Sequence, residues 1–195
     1  MSPINQQTAP NDVESQSFSG PQIDSSKYDL AWAVKLPERE DPNEWIANNL
    51  SDFYKQIVLL YNTIECKPET CPKMTASRKY EYLWSTDRRP IERCASDYTN
   101  HLLQWVQEQL DDEEIFPSMS VDKEFPDNFR QICETIARRL LRVFAHIYYH
   151  HKDSVRTHEA HMNTSLKHFI YFVKEFNLVS VTELEPLKDF IESFT

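Results

Sequence analysis

Glycine is almost missing from this 195-residue chain, in which Gly20 is the single one. Phosphate-cradling loops such as GxGxxG and GxxxxGK[ST] need several glycines, because only a residue without Cβ lets the backbone close tightly on a pyrophosphate. Nucleotide-dependent enzymes on those scaffolds are therefore excluded. Positive charge is scarce as well: 21 Lys and Arg stand against 31 Asp and Glu, a formal net charge of -10. Nucleic acid and anionic membrane both bind through cations that displace counterions, so a basic protein surface is the more natural partner. No run approaches the roughly 18 apolar residues of a membrane helix, and MSPINQQTAP lacks the basic and apolar regions of a secretory leader. Of four cysteines, Cys94 and Cys133 are isolated, so the expectation is a reduced, intracellular protein rather than a disulfide scaffold.

What is present suits one core. A hydrophobic content of 40% in this length reads as one globular unit plus a tail. Residues 1–28 are rich in Ser, Gln, Pro, Asn and Asp, a composition that cannot offset its ordering entropy, and they are expected to be a disordered tail. Its Ser15, Ser17, Ser19, Ser25 and Ser26 are sites where phosphorylation could add charge. Residues 29–195 form the expected folded domain. DPNEW opens a helix running to about Tyr61, with Asp41 as cap, Pro42 at the first helical position and Glu44 at the acidic place of a capping box. Tyr80, Tyr82 and Trp84 alternate as in a short strand or hairpin. Helices follow over Ser96 to Leu110, Asp127 to about His151, His158 to Phe176, and Thr182 to Phe194, the last with Thr182 and Glu185 at capping-box spacing. Apolar residues from Phe129 to Ile147 cover much of their helix, which marks it as the centre of a bundle. The fold class is mainly α, a helical bundle with a small β element.

Two pairs of metal donors stand about eighty residues apart: Cys66 and Cys71 in CKPETC, and a histidine group from His146 to His151 in HIYYHH. Together they supply the four nitrogen and sulfur donors of a tetrahedral Zn²⁺ site, which with no open position is structural. Ordinary buried thiols and surface histidines are the alternative. Within a continuous helix His146 and His150 share a face while His146 and His151 lie about 140° apart, so spacing favours His150. A DNA-reading finger is disfavoured, since its Cys and His pairs are about twelve residues apart and its helix is basic. No HExxH motif provides a catalytic base for hydrolysis, and the acids of DDEE read as a solvated face rather than a catalytic pair. Arg138, Arg139 and Arg142 cluster upstream of the histidines, and 138 and 142 are one turn apart. Arginine forks match phosphate oxygens, so a phosphorylated peptide is one reading; neutralisation of neighbouring acids is the other.

In order along the chain, LPEREDPNEW, CxxxxCPKMTA, KYEYLW, DEEIFPS, FPDNF, RRLLRVFAHIYYHH, EAHMNTSLKHFIYFVKEFNL and ELEPLK closely resemble the Mob family of kinase activators over about residues 30 to 193. The resemblance implies a Mob domain over 29–195, a helical core with a small hairpin, a structural zinc and no catalytic activity. It implies a co-activator that binds the basic N-terminal regulatory segment of NDR/LATS-type kinases, in signalling of the Hippo or mitotic-exit type. By the same resemblance the zinc ligands are Cys66, Cys71, His146 and His151, against the spacing preference for His150. The phosphothreonine pocket for segments of upstream Ste20-type kinases falls on Arg138, Arg139 and Arg142, and the kinase-docking face on Glu40, Glu44 and Trp45. Glu44 as a cap of its own helix is compatible with docking, since a carboxylate has a second oxygen to offer. The family's setting is cytoplasmic, with nucleus, spindle poles and cell cortex as further places. A branch of the family acts instead as scaffold subunit of striatin-type phosphatase/kinase complexes, which is the alternative function. Two departures stand out: the Trp45 to Cys66 segment is two residues shorter than usual, and the threonine phosphorylated ahead of the core in many members falls on Asp24, beside Ser25 and Ser26.

Overall fold

The computed structural model describes residues 29–85, 89–117, 123–154 and 159–195. The expected tail over 1–28, its serines and Asp24 therefore lie outside the described residues. The first element is a single turn, α1 (Leu30–Ala33), capped by Asp29, whose carboxylate accepts from the Ala31 N–H at 3.0 Å. Helix α2 (Pro42–Tyr61) begins as its sequence dictates, with Asp41 Oδ1 accepting from the N–H groups of Asn43 at 2.8 Å and Glu44 at 3.1 Å. The reciprocal half of the expected capping box is not made: among the described residues no hydrogen bond involves the Glu44 carboxylate. Ile46, Leu50, Phe53, Ile57 and Leu60 form its buried stripe at three- and four-residue spacing.

The β element is larger than the single hairpin expected. Strands β1 (Thr75–Ala76) and β2 (Tyr80–Glu81) pair antiparallel with Thr75 opposite Glu81, and β3 (Trp84–Ser85) and β4 (Pro90–Ile91) pair with Trp84 opposite Ile91. The alternation of KYEYLW spans both hairpins, because the chain leaves one ladder at Tyr82 and enters the next at Trp84. Helix α3 (Ala95–Leu110) starts one residue before the expected Ser96.

Helix α4 (Phe129–His150) is the centre of the bundle and packs against α2, α3, α5 (Glu159–Glu175) and β1. Eleven of its residues are buried, around much of its circumference, as the sequence pattern requires. Full burial of each large apolar side chain contributes about 1.5–3 kcal/mol, so α4 anchors the fold. Phe53 of α2 meets Phe169 of α5 edge-on at 5.1 Å between ring centres, and Phe144 of α4 meets the same ring at 5.2 Å. Helix α5 ends in a Schellman motif: Leu178 N–H donates to Val173 O at 2.9 Å and Asn177, at φ 50°, takes the left-handed position usually filled by glycine.

The expected single helix from Thr182 to Phe194 is broken into α6 (Val181–Leu184), a 3₁₀ turn over Glu185–Leu187 and α7 (Lys188–Glu192). Pro186 is the reason, since it has no N–H to donate and crowds the preceding turn. Its carbonyl is held instead by the Tyr149 hydroxyl at 2.6 Å. The capping box also sits earlier than expected: it joins Ser180 to Glu183, not Thr182 to Glu185. Among the described residues no helix is long and apolar enough to cross a membrane.

Candidate metal centre and charged faces

Cys66 lies on the loop that leaves α2, and a turn closed by Cys71 N–H to Lys67 O at 2.8 Å brings Cys71 back beside it. That loop is fastened to the start of α3 through Ala95 N–H to Cys71 O at 3.0 Å. Cys66 Sγ is 3.5 Å from His146 Nε2, and Cys71 Sγ is 3.5 Å from His151 Nε2. All four donor atoms fall within 4.8 Å of one another. A tetrahedral ion with Zn–S near 2.3 Å and Zn–N near 2.05 Å spaces its sulfur and nitrogen ligands about 3.6 Å apart, so the cluster has the dimensions of a zinc site. His146 and His151 are 1% and 5% exposed, which shields the centre from water.

The choice between His150 and His151 is settled by where α4 stops. The helix ends at His150, and His151 leaves it with φ -127° and ψ 11°, so the 140° separation of a continuous helix does not apply. His150 instead places Nε2 at 2.9 Å from the Thr75 hydroxyl, on an exposed edge. The preference for His150 that spacing alone gives is thus overturned. His146 Nδ1 lies 2.9 Å from Thr75 O, so that nitrogen carries the proton and donates, leaving the Nε2 lone pair aimed at the cluster.

Burial governs the protonation of these groups. It pushes the Cys66 thiol up to about 12, helped by the neighbouring Cys71 and opposed by a hydrogen bond from Tyr61. It lowers His146 to about 4, against the pull of Thr75, and lowers His151, with His150 adding to the effect. The imidazoles are therefore neutral, the form that ligates, while the Cys66 thiol keeps its proton until a cation displaces it. Four protein donors fill a tetrahedral shell and leave no position for substrate or water.

The three arginines do not all line one cavity. Arg138 and Arg142 line a common cavity of about 130 Å³, walled by Tyr80, Tyr82, Glu183 and Pro186. Arg142 donates to the Tyr98 hydroxyl at 2.8 Å and lies over the Tyr82 ring. Arg138 pairs with Glu183 at 3.4 Å and donates to Thr135 Oγ1 at 3.2 Å. Arg139 turns elsewhere, its guanidinium 4.0 Å from the centre of the Trp105 ring and 5.0 Å from that of Trp84. Neutralisation of nearby acids accounts for Arg138 alone; among the described residues no carboxylate pairs with Arg139 or Arg142.

On the opposite kind of surface, Glu40 is exposed and Glu44 half-buried, and neither carboxylate has a partner among the described residues. Trp45 faces inward: it packs on the core and donates its indole N–H to Val34 O at 3.3 Å, which holds the segment after α1 in place.

A model of the Mob1/phocein family matches residues 22–187. The chain belongs to that family. It is 52% identical over 171 residues to "MOB kinase activator-like 1 homolog A" of Dictyostelium discoideum, covering 84% of this chain and 80% of that protein. It is 47% identical over 171 residues to "MOB kinase activator-like 1A" of Arabidopsis thaliana, with 84% and 79% covered. To "Maintenance of ploidy protein mob1" of Schizosaccharomyces pombe it is 46% identical over 171 residues, with 84% and 81% covered. As a Mob1/phocein protein the chain is a regulator of the kinase-activator kind, mainly helical, with a Cys₂His₂ cluster fit for zinc.

Several contributors to these sites carry no signal in the sequence. Tyr61 at Cys66, Thr75 at His146, Tyr98 at Arg142 and Glu183 at Arg138 all come from other elements and are brought in by tertiary packing.

Proposed function

We propose that this chain is a non-catalytic adaptor, stapled by zinc at Cys66, Cys71, His146 and His151, that binds the basic N-terminal segment of an NDR/LATS-type kinase and promotes its activation. The observation that carries the reading is the pair Glu40, just ahead of the Asp41 cap, and Glu44, in the first turn of α2, with carboxylates unpaired among the described residues. Such acids are free to meet cations on a partner helix and to set its register and rate of encounter. Kinship with proteins named kinase activators supports the same direction. Trp45 serves this face by fixing the backbone ahead of α2 rather than by presenting its ring.

The second face, Arg138 and Arg142 around their shared cavity, is the seat for a phosphothreonine segment of an upstream Ste20-type kinase, with Arg139 held in reserve between its tryptophans. Arg142 has no counter-charge among the described residues, and a phosphate supplies one. The adaptor works in the cytoplasm, with nucleus, spindle poles and cell cortex as further stations. Calorimetric titration with the kinase segment tests the first face. Glu44→Lys is expected to weaken binding about tenfold, a change of about 1.4 kcal/mol, while the melting temperature falls by no more than about 4 °C from the reversed charge in the first turn of α2. Equal affinity in both proteins refutes the face, and recovery of striatin-type partners instead of a kinase from extract moves the chain to the scaffold branch.

A further inference from the structure

Glu183 occupies an unusual place beside the phosphate seat. Its Oε1 lies 3.4 Å from Arg138 Nε, where an oxygen of an incoming phosphate would bind. Its Oε2 is held by Ser180, at 3.4 Å from the N–H and 3.3 Å from Oγ, so the carboxylate is fixed by the capping box of α6. The Schellman turn at Asn177 in turn positions the 177–183 segment against α4. With Arg138, Glu183 borders two spaces: the 130 Å³ cavity at Arg142, and a groove of about 590 Å³ that continues past Glu134 and along Leu178 and Val179 to the exposed Val181.

When a phosphate takes Arg138, Glu183 loses its cation and is left beside a dianion, still tied to Ser180. Glu134, the other acid of the groove, already has Arg130 at 3.3 Å. A positive charge carried by the ligand would restore the balance at this partly exposed carboxylate. Resting on the reading of Arg138 and Arg142 as a phosphate seat, we propose that Glu183 is a specificity-determining residue that admits threonine-phosphorylated peptides carrying a Lys or Arg next to the phosphothreonine. The flank of the peptide runs into the groove, its cation meets Glu183, and Val181 offers the adjoining apolar contact.

The test uses the zinc-loaded full chain and its Glu183→Gln variant, because glutamine preserves the capping box while removing the charge. Fluorescence anisotropy is read with two labelled peptides, phosphothreonine between alanines and phosphothreonine between lysines. The wild type is expected to favour the lysine-flanked peptide by roughly fivefold, the scale of one partly exposed ion pair. In the variant that preference falls below about twofold, and the alanine-flanked peptide binds more tightly than to wild type as the competing carboxylate is gone. The same preference in both proteins, or weaker binding of the alanine-flanked peptide to the variant, overturns the proposal. If neither protein binds either peptide above its unphosphorylated form, the phosphate seat itself falls and the role of Glu183 with it.

Discussion

Removing the metal is expected to lower the melting temperature sharply without dissolving the helices. Each sulfur and its facing imbidazole nitrogen belong to residues 80 positions apart, so a bound ion closes a long loop. Treated as a cross-link across about 80 residues, it lowers the entropy of the unfolded chain by the equivalent of about 4.5 kcal/mol. For a protein of this size each kcal/mol moves the midpoint by roughly 2–4 °C, so chelation should lower it by about 9–18 °C. The helices persist in the metal-free protein because the rings of Phe53, Phe144 and Phe169 still pack around α4. What loosens is the Cys66 to Cys71 loop, whose backbone ties are few. The assay is calorimetry under reducing conditions, before and after dialysis against a chelator and after zinc is restored, with metal content measured alongside. A protein that carries one zinc per chain yet moves by less than about 2 °C on its removal refutes the cross-link reasoning.

Two further outcomes follow from the same region and from the core. His150→Ala should retain one zinc per chain in native mass spectrometry while His151→Ala loses it; the reverse result contradicts the end of α4 described above. Burial lowers the pKa of His168, whose ring meets Phe53 edge-on at 4.9 Å, below its ordinary 6.5. The unfolded chain then binds the proton more readily, so stability from this group is present above about 6.5 and declines as pH falls toward the folded value. In denaturant titrations between neutral and mildly acid pH, His168→Phe should be less pH-dependent than wild type by a fraction of one proton, and parallel curves rule the effect out.

The features that local chemistry dictates are legible in the sequence. Asp41 and Pro42 start α2 because a cap acceptor and a proline at the first position act within one turn, and the apolar surround of α4 announces a central helix. Features that depend on another element or on a helix end are not legible there. Spacing favours His150 only for a helix that continues, whereas the chain turns at His151. Thr182 to Phe194 reads as continuous from its apolar residues, yet Pro186 breaks it. Nothing local reveals that Trp84 and Trp105, from a hairpin and from α3, converge on Arg139.

That last arrangement gives the molecule a built-in optical reporter. Two of its four tryptophans clasp the guanidinium of Arg139, which follows Arg138 directly in the chain. Neither Trp32, 76% exposed, nor Trp45, packed on the core, has a cation over its ring among the described residues. A ligand that draws Arg139 away from Trp84 and Trp105 changes the surroundings of both indoles at once, so that displacement is legible in the protein's own emission, with no dye attached.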